Sequence, residues 1–406
     1  MGMKYRGLAG LLVLFSLAGL MNCGSSSSTT TDPGTTGTGF VFVATQGDQK
    51  LSSFSIDLSN GTLATNGTGL ATGTLPVAAA ITPDGNSIFV INRDSADISR
   101  YTVQSDGTLT AVTPNQSSGG VNPVGLTMDA AGKFLFVVNQ GDFANPASST
   151  ISVFSIASGA ALTPVAQDPV QFNTFLNDTV AIAVTPDAKF LYAANRTNGT
   201  VISYAVDANG VLTHATSATD PGVTSIGANP SGLVITPDDP QNPSPNGVFL
   251  YVANAGANNI SVFSICDKPT LTCTSPTGDL AVVTGSPFAA GLEPTSMVMV
   301  NPSVTTPPSG TFLYVADKSS NQVSQYTVST VSGGLTAISP PAISTGQTPV
   351  WVGARRDGRY VFAANNGGSS ISPFRITSVT SGLLATVGGS TGTTTTGGLP
   401  SAIVVK

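Results

Sequence analysis

Ionisable chemistry is scarce in this 406-residue chain. It has one histidine, His214, one glutamate, Glu293, and three cysteines. Charged residues make up only 9% of it, and there is a single tryptophan. A histidine–cysteine metal centre needs several convergent ligands, and this inventory cannot supply them. Nucleic-acid binding needs a basic surface, whereas the net charge is −6 and the pI about 4.6. What the chain has instead is 45 glycines and 27 prolines in a 40% hydrophobic background. That mixture suits many turns and short strands rather than helices.

The dominant pattern is a sevenfold repeat. An aromatic or apolar run ends in a small polar anchor at Thr45, Asn92, Asn139, Asn195, Asn254, Asp317 and Asn365. Successive anchors lie 47, 47, 56, 59, 63 and 48 residues apart. All-β texture at that period is the signature of propeller blades. The second repeat shows one unit: a small-residue strand (Pro76–Ile81), a turn (Pro83-Asp84-Gly85-Asn86), a β-branched strand (Ser87–Ile91), a polar loop, an alternating strand (Ile98–Val103), a turn at Asp106-Gly107 and a last strand. These four strands are named a to d from axis to rim. Pro373 lies in the c strand of the seventh repeat and predicts a local irregularity there. The first repeat lacks an a strand, and Leu399–Val405 repeats the pattern of Leu75–Ile81. The C-terminus is therefore expected to complete the first blade and leave no long open edge. The reading is an all-β, seven-bladed propeller of four-stranded blades over residues 40–406.

The first 39 residues read differently. Lys4 and Arg6 precede an apolar stretch, Leu8–Met21, as in an export signal. That stretch is too short for a convincing spanning helix. The following Leu20-Met21-Asn22-Cys23 resembles a bacterial lipobox, which implies residues 1–22 as signal peptide and Cys23 as the lipidated residue; ordinary signal cleavage nearby is the alternative. Gly24–Gly39 is low-complexity Ser/Thr/Gly and cannot bury a core. Residues 23–39 are expected to act as a tether spanning roughly 20–24 Å. This predicts an exported, envelope-located monomer that meets the membrane only through its lipid. Cys266 and Cys273 flank an insertion between strands c and d of the fifth blade and are expected to form a disulfide in such a compartment. The alternative, a metal or redox pair, lacks companion ligands.

The repeats, above all Tyr251-Val252-Ala253-Asn254, Phe362-Ala363-Ala364-Asn365 and Arg356-Asp357-Gly358-Arg359-Tyr360-Val361-Phe362, resemble the YVTN-type propellers and, more broadly, the lactonase propeller family with its 6-phosphogluconolactonase-like enzymes. Enzymes of that family are similar in frame but carry Arg, His and Glu at blade starts. Where Gly-Pro-Arg-His is typical of them, this chain reads Asn229-Pro230-Ser231-Gly232, and their Pro-Arg becomes Pro349-Val350. The expectation from these residues is a non-catalytic, cofactor-free and metal-free propeller that binds a protein or glycan. The alternative is a lactonase-like hydrolase, for which Glu293, on a d–a loop before Pro294, is the one catalytic candidate. His214 is assigned to an outer strand and Trp351 to blade packing. The d–a and b–c loops share one face, so binding is expected there. The candidates are Arg93, Asp142, Phe143, Asn145, Phe172, Phe175, Arg196 and Glu293, with the three phenylalanines alternatively tucked under their own loops.

Overall fold

The computed structural model describes residues 39–406 apart from 143–147, 167–169, 172–177, 215–221, 238–247, 268–276, 302–309 and 389–391. Seven antiparallel sheets are arranged around an axis. Their innermost strands touch in a closed cycle: 76–81, 123–128, 179–184, 230–235, 294–300, 349–354, 400–405 and back to 76–81. The C-terminal strand Pro400–Val405 pairs antiparallel with Gly39–Thr45, which makes it strand a of blade 1. The ring therefore closes by joining the two ends of the described chain, as the missing a strand predicts.

The b strands explain the continuous apolar runs. Phe249–Asn254, for example, is buried at every position. Alternate side chains serve opposite seams: Phe40 and Phe42 enter the core between blades 1 and 2, while Val41 and Val43 enter the core between blades 7 and 1. Seven such cores occupy the seven seams. A strand buried on both faces has no polar side to display, so hydropathy does not alternate. Blades 4, 5 and 6 also clasp the blade that follows. The phenolic hydroxyls of Tyr192, Tyr251 and Tyr314 donate to the carbonyls of Gly278, Gly333 and Gly382 in the c–d turn of the next blade, at 2.6–2.8 Å. At Gly333 φ is +73° and a Cβ would lie 2.4 Å from the Phe249 ring. Only glycine fits that joint.

One local expectation is corrected. Pro373 does not disturb its strand: Ser370–Ile376 pairs in unbroken register with Tyr360–Asn365. The outer edge is interrupted at its level, between Leu384–Thr386 and Thr394–Thr395. A missing donor costs least where the neighbouring strand already has a gap.

Candidate functional site

Two backbone devices, each present in all seven blades, build the mouth of the axial channel. The first is the anchor. All seven anchors are fully buried at the end of strand b. Asn92, Asn139, Asn254 and Asn365 each donate Nδ2–H to a serine of strand c at 2.9–3.0 Å. Beyond each anchor, the next residue donates its N–H to the carbonyl of the residue that precedes strand a, at 2.7–3.0 Å in every blade. That turn residue has a left-handed backbone in six blades: Leu75, Asn122, Asp178, Asn229, Glu293 and Thr348, with φ between +49° and +61°. The strained conformation recurs with unrelated side chains. It belongs to the scaffold, and the side chain is free to vary.

The second device is a β-bulge at the second residue of every a strand, where the register with strand b shifts. A bulge re-aims a side chain, and all seven bulge residues line one axial cavity of about 1020 Å³. Four are valines: Val77, Val124, Val180 and Val350. Three carry hydroxyls. Ser231 donates to Pro294 O at 2.6 Å, Thr295 to Ala316 O at 3.1 Å, and Ser401 to Ala44 O at 3.3 Å. Each keeps lone pairs for a ligand. Deeper in, the wall is largely aliphatic, with residues such as Leu126, Ile182, Leu233 and Met297.

Charge enters the mouth at equivalent positions of blades 4 and 6. In blade 4 Arg196 forks onto Asp178, Nε to Oδ2 at 3.0 Å and Nη2 to Oδ1 at 2.7 Å. Gln140 and Thr197 also donate to that carboxylate. Burial works to raise the Asp178 pKa, but the donors from Arg196, Gln140 and Thr197 together bring it below the usual carboxylate value. In blade 6 Lys318 Nζ lies 2.6 Å from Glu293 Oε1, and Ser319 donates to Oε2 at 2.5 Å. The Lys318 hydrogen bond, then that of Ser319, lowers the Glu293 pKa. Between them blade 5 has the neutral pair Asn229 and Ala255. Arg196 and Glu293 both stand in the cavity wall. Among the described residues no three His, Cys, Asp or Glu side chains group as metal ligands.

The other candidates are scattered. Arg93 occupies the mouth position of blade 2 beside Asp94, at 3.4 Å, and is not in the cavity wall. Asp142 is exposed. Cys23, Phe143, Asn145, Phe172, Phe175 and Cys273 lie outside the described residues; Cys266 directly follows strand c of blade 5. His214 is on the outer strand of blade 4, edge-on to Tyr204 with ring centroids 5.8 Å apart. The assignment of Trp351 to packing is incomplete, because it also lines the cavity. Composition could not reveal that. Aligning the seven a strands on their bulges does, since Trp351 then stands where every other blade has Gly, Ala or Ser. Gly232, where the resemblance puts a histidine, has no room for one: a Cβ there would lie 2.8 Å from the Thr295 carbonyl oxygen.

The sequence matches the family described as lactonase, 7-bladed beta-propeller, over residues 35–115, 70–174, 143–240 and 289–396. Among curated proteins, none matches it. Among solved structures, the periplasmic gluconolactonase of Pseudomonas aeruginosa is similar at 17% identity and a TM-score of 0.69, over 91% of this chain and 99% of that one. A provisionally named 6-phosphogluconolactonase of Bacteroides fragilis is similar at 19% identity and a TM-score of 0.68, over 92% and 99%. Identities this low speak for the fold alone. The family match supports the hydrolase alternative better than the non-catalytic reading expected from residue content. This chain belongs to the seven-bladed β-propeller lactonase family.

Proposed function

We propose that the protein hydrolyses a small sugar lactone at the sector of the channel mouth spanned by blades 4 to 6. The observation that carries this reading is one carboxylate, Glu293, and one guanidinium, Arg196, in the wall of a single axial cavity, in a chain of the lactonase family. Lactone hydrolysis requires a water to lose a proton as its oxygen bonds to the carbonyl carbon. It also requires stabilisation of the charge that builds on the carbonyl oxygen. Glu293, held ionised by Lys318 and Ser319, accepts the water's proton. Arg196 has five N–H donors and uses Nε and Nη2 on Asp178; the others can meet the oxyanion. The ring C–O bond then breaks, the ring oxygen takes a proton, and the product is a hydroxy acid. A base with a lowered pKa is a weak one, so the gain from Glu293 falls at the low end of the usual ~10²–10⁴.

A second reading, a binding propeller without turnover, is favoured by Ser231, Gly232 and Val350 standing where the resemblance puts Arg, His and Arg. Assays on glucono-δ-lactone and 6-phosphogluconolactone, with Glu293→Gln alongside, separate the two. Saturable hydrolysis that falls about 100-fold in the variant is expected. Saturable binding with no turnover above buffer would establish the second reading instead.

A further inference from the structure

Trp351 is the only tryptophan of the chain. It is the third residue of strand a in blade 7, directly after the bulge at Val350, and pairs with Ala364. The same position in the other blades holds Ala78, Gly125, Ala181, Gly232, Ser296 and Ala402. No other blade places a side chain larger than serine there. Trp351 is half-buried and packs against three successive cores, between blades 7 and 1, 1 and 2, and 2 and 3. A side chain that reaches three seams cannot sit inside one of them. It lies along the channel face of blades 1 and 2, over the space their small Ala402 and Ala78 leave. The cavity wall is uneven in turn, with the indole of blade 7 on one side and blades 3 to 6 supplying most of the rest. The indole Nε1 has no hydrogen-bond acceptor among the described residues.

At the level of the bulges the opposite wall carries Val124 and Val180 in blades 3 and 4 and the hydroxyls of Ser231 and Thr295 in blades 5 and 6. Both donate to backbone carbonyls, so each oxygen still presents acceptor capacity. The charges of the mouth cancel within their pairs, Arg196 with Asp178 and Lys318 with Glu293. Among the described residues no unbalanced cation stands in the wall to hold a phosphate dianion. A flat apolar plate facing hydroxyls, without net charge, fits a ring whose faces are C–H and whose edge is hydroxyl. We infer that Trp351 is the platform on which an uncharged sugar-lactone or pyranose ring stacks in the channel. The inference rests on the proposed function for its ligand class, but binding alone tests it.

Because one tryptophan carries all the indole emission, the test is direct. The wild-type protein is titrated with D-gluconolactam, a ring-closed probe that resists hydrolysis, and with D-glucose and glucose 6-phosphate. Emission and calorimetry are followed together. A saturable emission change with the two uncharged rings is expected, with glucose 6-phosphate at least tenfold weaker. Trp351→Ala should weaken gluconolactam at least tenfold by calorimetry, and Trp351→Phe should retain most of the affinity. If the alanine variant does not fold, wild-type emission and the phenylalanine variant decide. Calorimetric binding with unchanged emission would overturn the platform, and tighter binding of glucose 6-phosphate would overturn the uncharged ring. Glu293-dependent lactone hydrolysis with no binding of either uncharged ring would also overturn this inference, while leaving the hydrolase reading intact. Ring binding on Trp351 without hydrolysis would support it and remove the hydrolase reading.

Discussion

Blades 2 and 6 are built on one plan and differ where the plan is silent. In both, the residue after the anchor donates its N–H to a left-handed turn residue ahead of strand a. In blade 2 those residues are Arg93 and Leu75, and no ion pair joins them; in blade 6 they are Lys318 and Glu293, joined at 2.6 Å. The anchors differ as well. Asn92 donates to Ser99 at 2.9 Å, whereas Asp317 accepts from Ser324 at 2.6 Å. The anchor side chains serve the frame, but the backbone bond between the turn residue and the residue after the anchor forms in every blade whatever their side chains, so these two positions can be given to chemistry. Repetition marks the frame, and departures from repetition mark the site.

Removing a piece of the frame should have the largest effect. Deleting residues 399–406 takes strand a from blade 1 and opens both of its seams, including the contacts of Ala402 and Ile403 with two cores. Each fully buried apolar side chain is worth about 1.5–3 kcal/mol, so the deletion should abolish cooperative unfolding near the parent's melting temperature. A truncated protein that melts like the parent would contradict closure by the C-terminal strand.

Making blade 6 more like blade 2 should stabilise it. Asp317 is fully buried, and that burial, only partly offset by the hydrogen bonds from Ser324 and Gln322, pushes its pKa to about 6 from 3.8. The folded state thus holds this proton more tightly than the unfolded chain. The Asp317 contribution favours folding below pH 3.8, weakens as pH rises, and is at its most costly above pH 6. Asp317→Asn should therefore gain up to about 3 kcal/mol at pH 8 and almost nothing at pH 3.5. Denaturant melts at the two pH values measure this, and an equal change at both would show that the burial of charge is not the cause.

A smaller effect is expected inside the channel. Gly232→His would restore the residue type implied by the resemblance, but its Cβ must displace the Thr295 backbone. Overpacking of this kind costs about 1–3 kcal/mol, and no gain in hydrolysis should accompany it. Faster hydrolysis at undiminished stability would mean that blade 6 yields and that this glycine is not imposed by packing.

These contrasts also show how far the sequence can be read. The anchors, the sevenfold period and the pairing of 400–405 with the first blade were legible because repetition exposes them. Strand b reads as one apolar run because both its faces are buried. The bulge was not legible: it is a register shift of one residue, and Val77 or Val124 looks like any strand valine. Without it, Ser231, Thr295 and Trp351 cannot be placed around a common cavity. Glu293 could be brought to the mouth from sequence because it precedes a blade-starting proline. Its partners Lys318 and Ser319 could not, because they arrive from the b–c loop across a turn that only the fold closes.

The central claim is that the departures from repetition in blades 4 to 6 form the reactive site, with Glu293 as the base. The measurement that tests it most directly is the pH profile of kcat/KM for glucono-δ-lactone between pH 3 and 7, for wild type and Glu293→Gln. A base must be ionised to work, and hydrogen bonds from Lys318 and Ser319 hold this one below its ordinary 4.5. Wild type should run flat from pH 5 to 7 and fall only below pH 4.5, while the variant is slow throughout. A fall centred between pH 6 and 7, or a variant that traces the wild-type curve, would contradict the account.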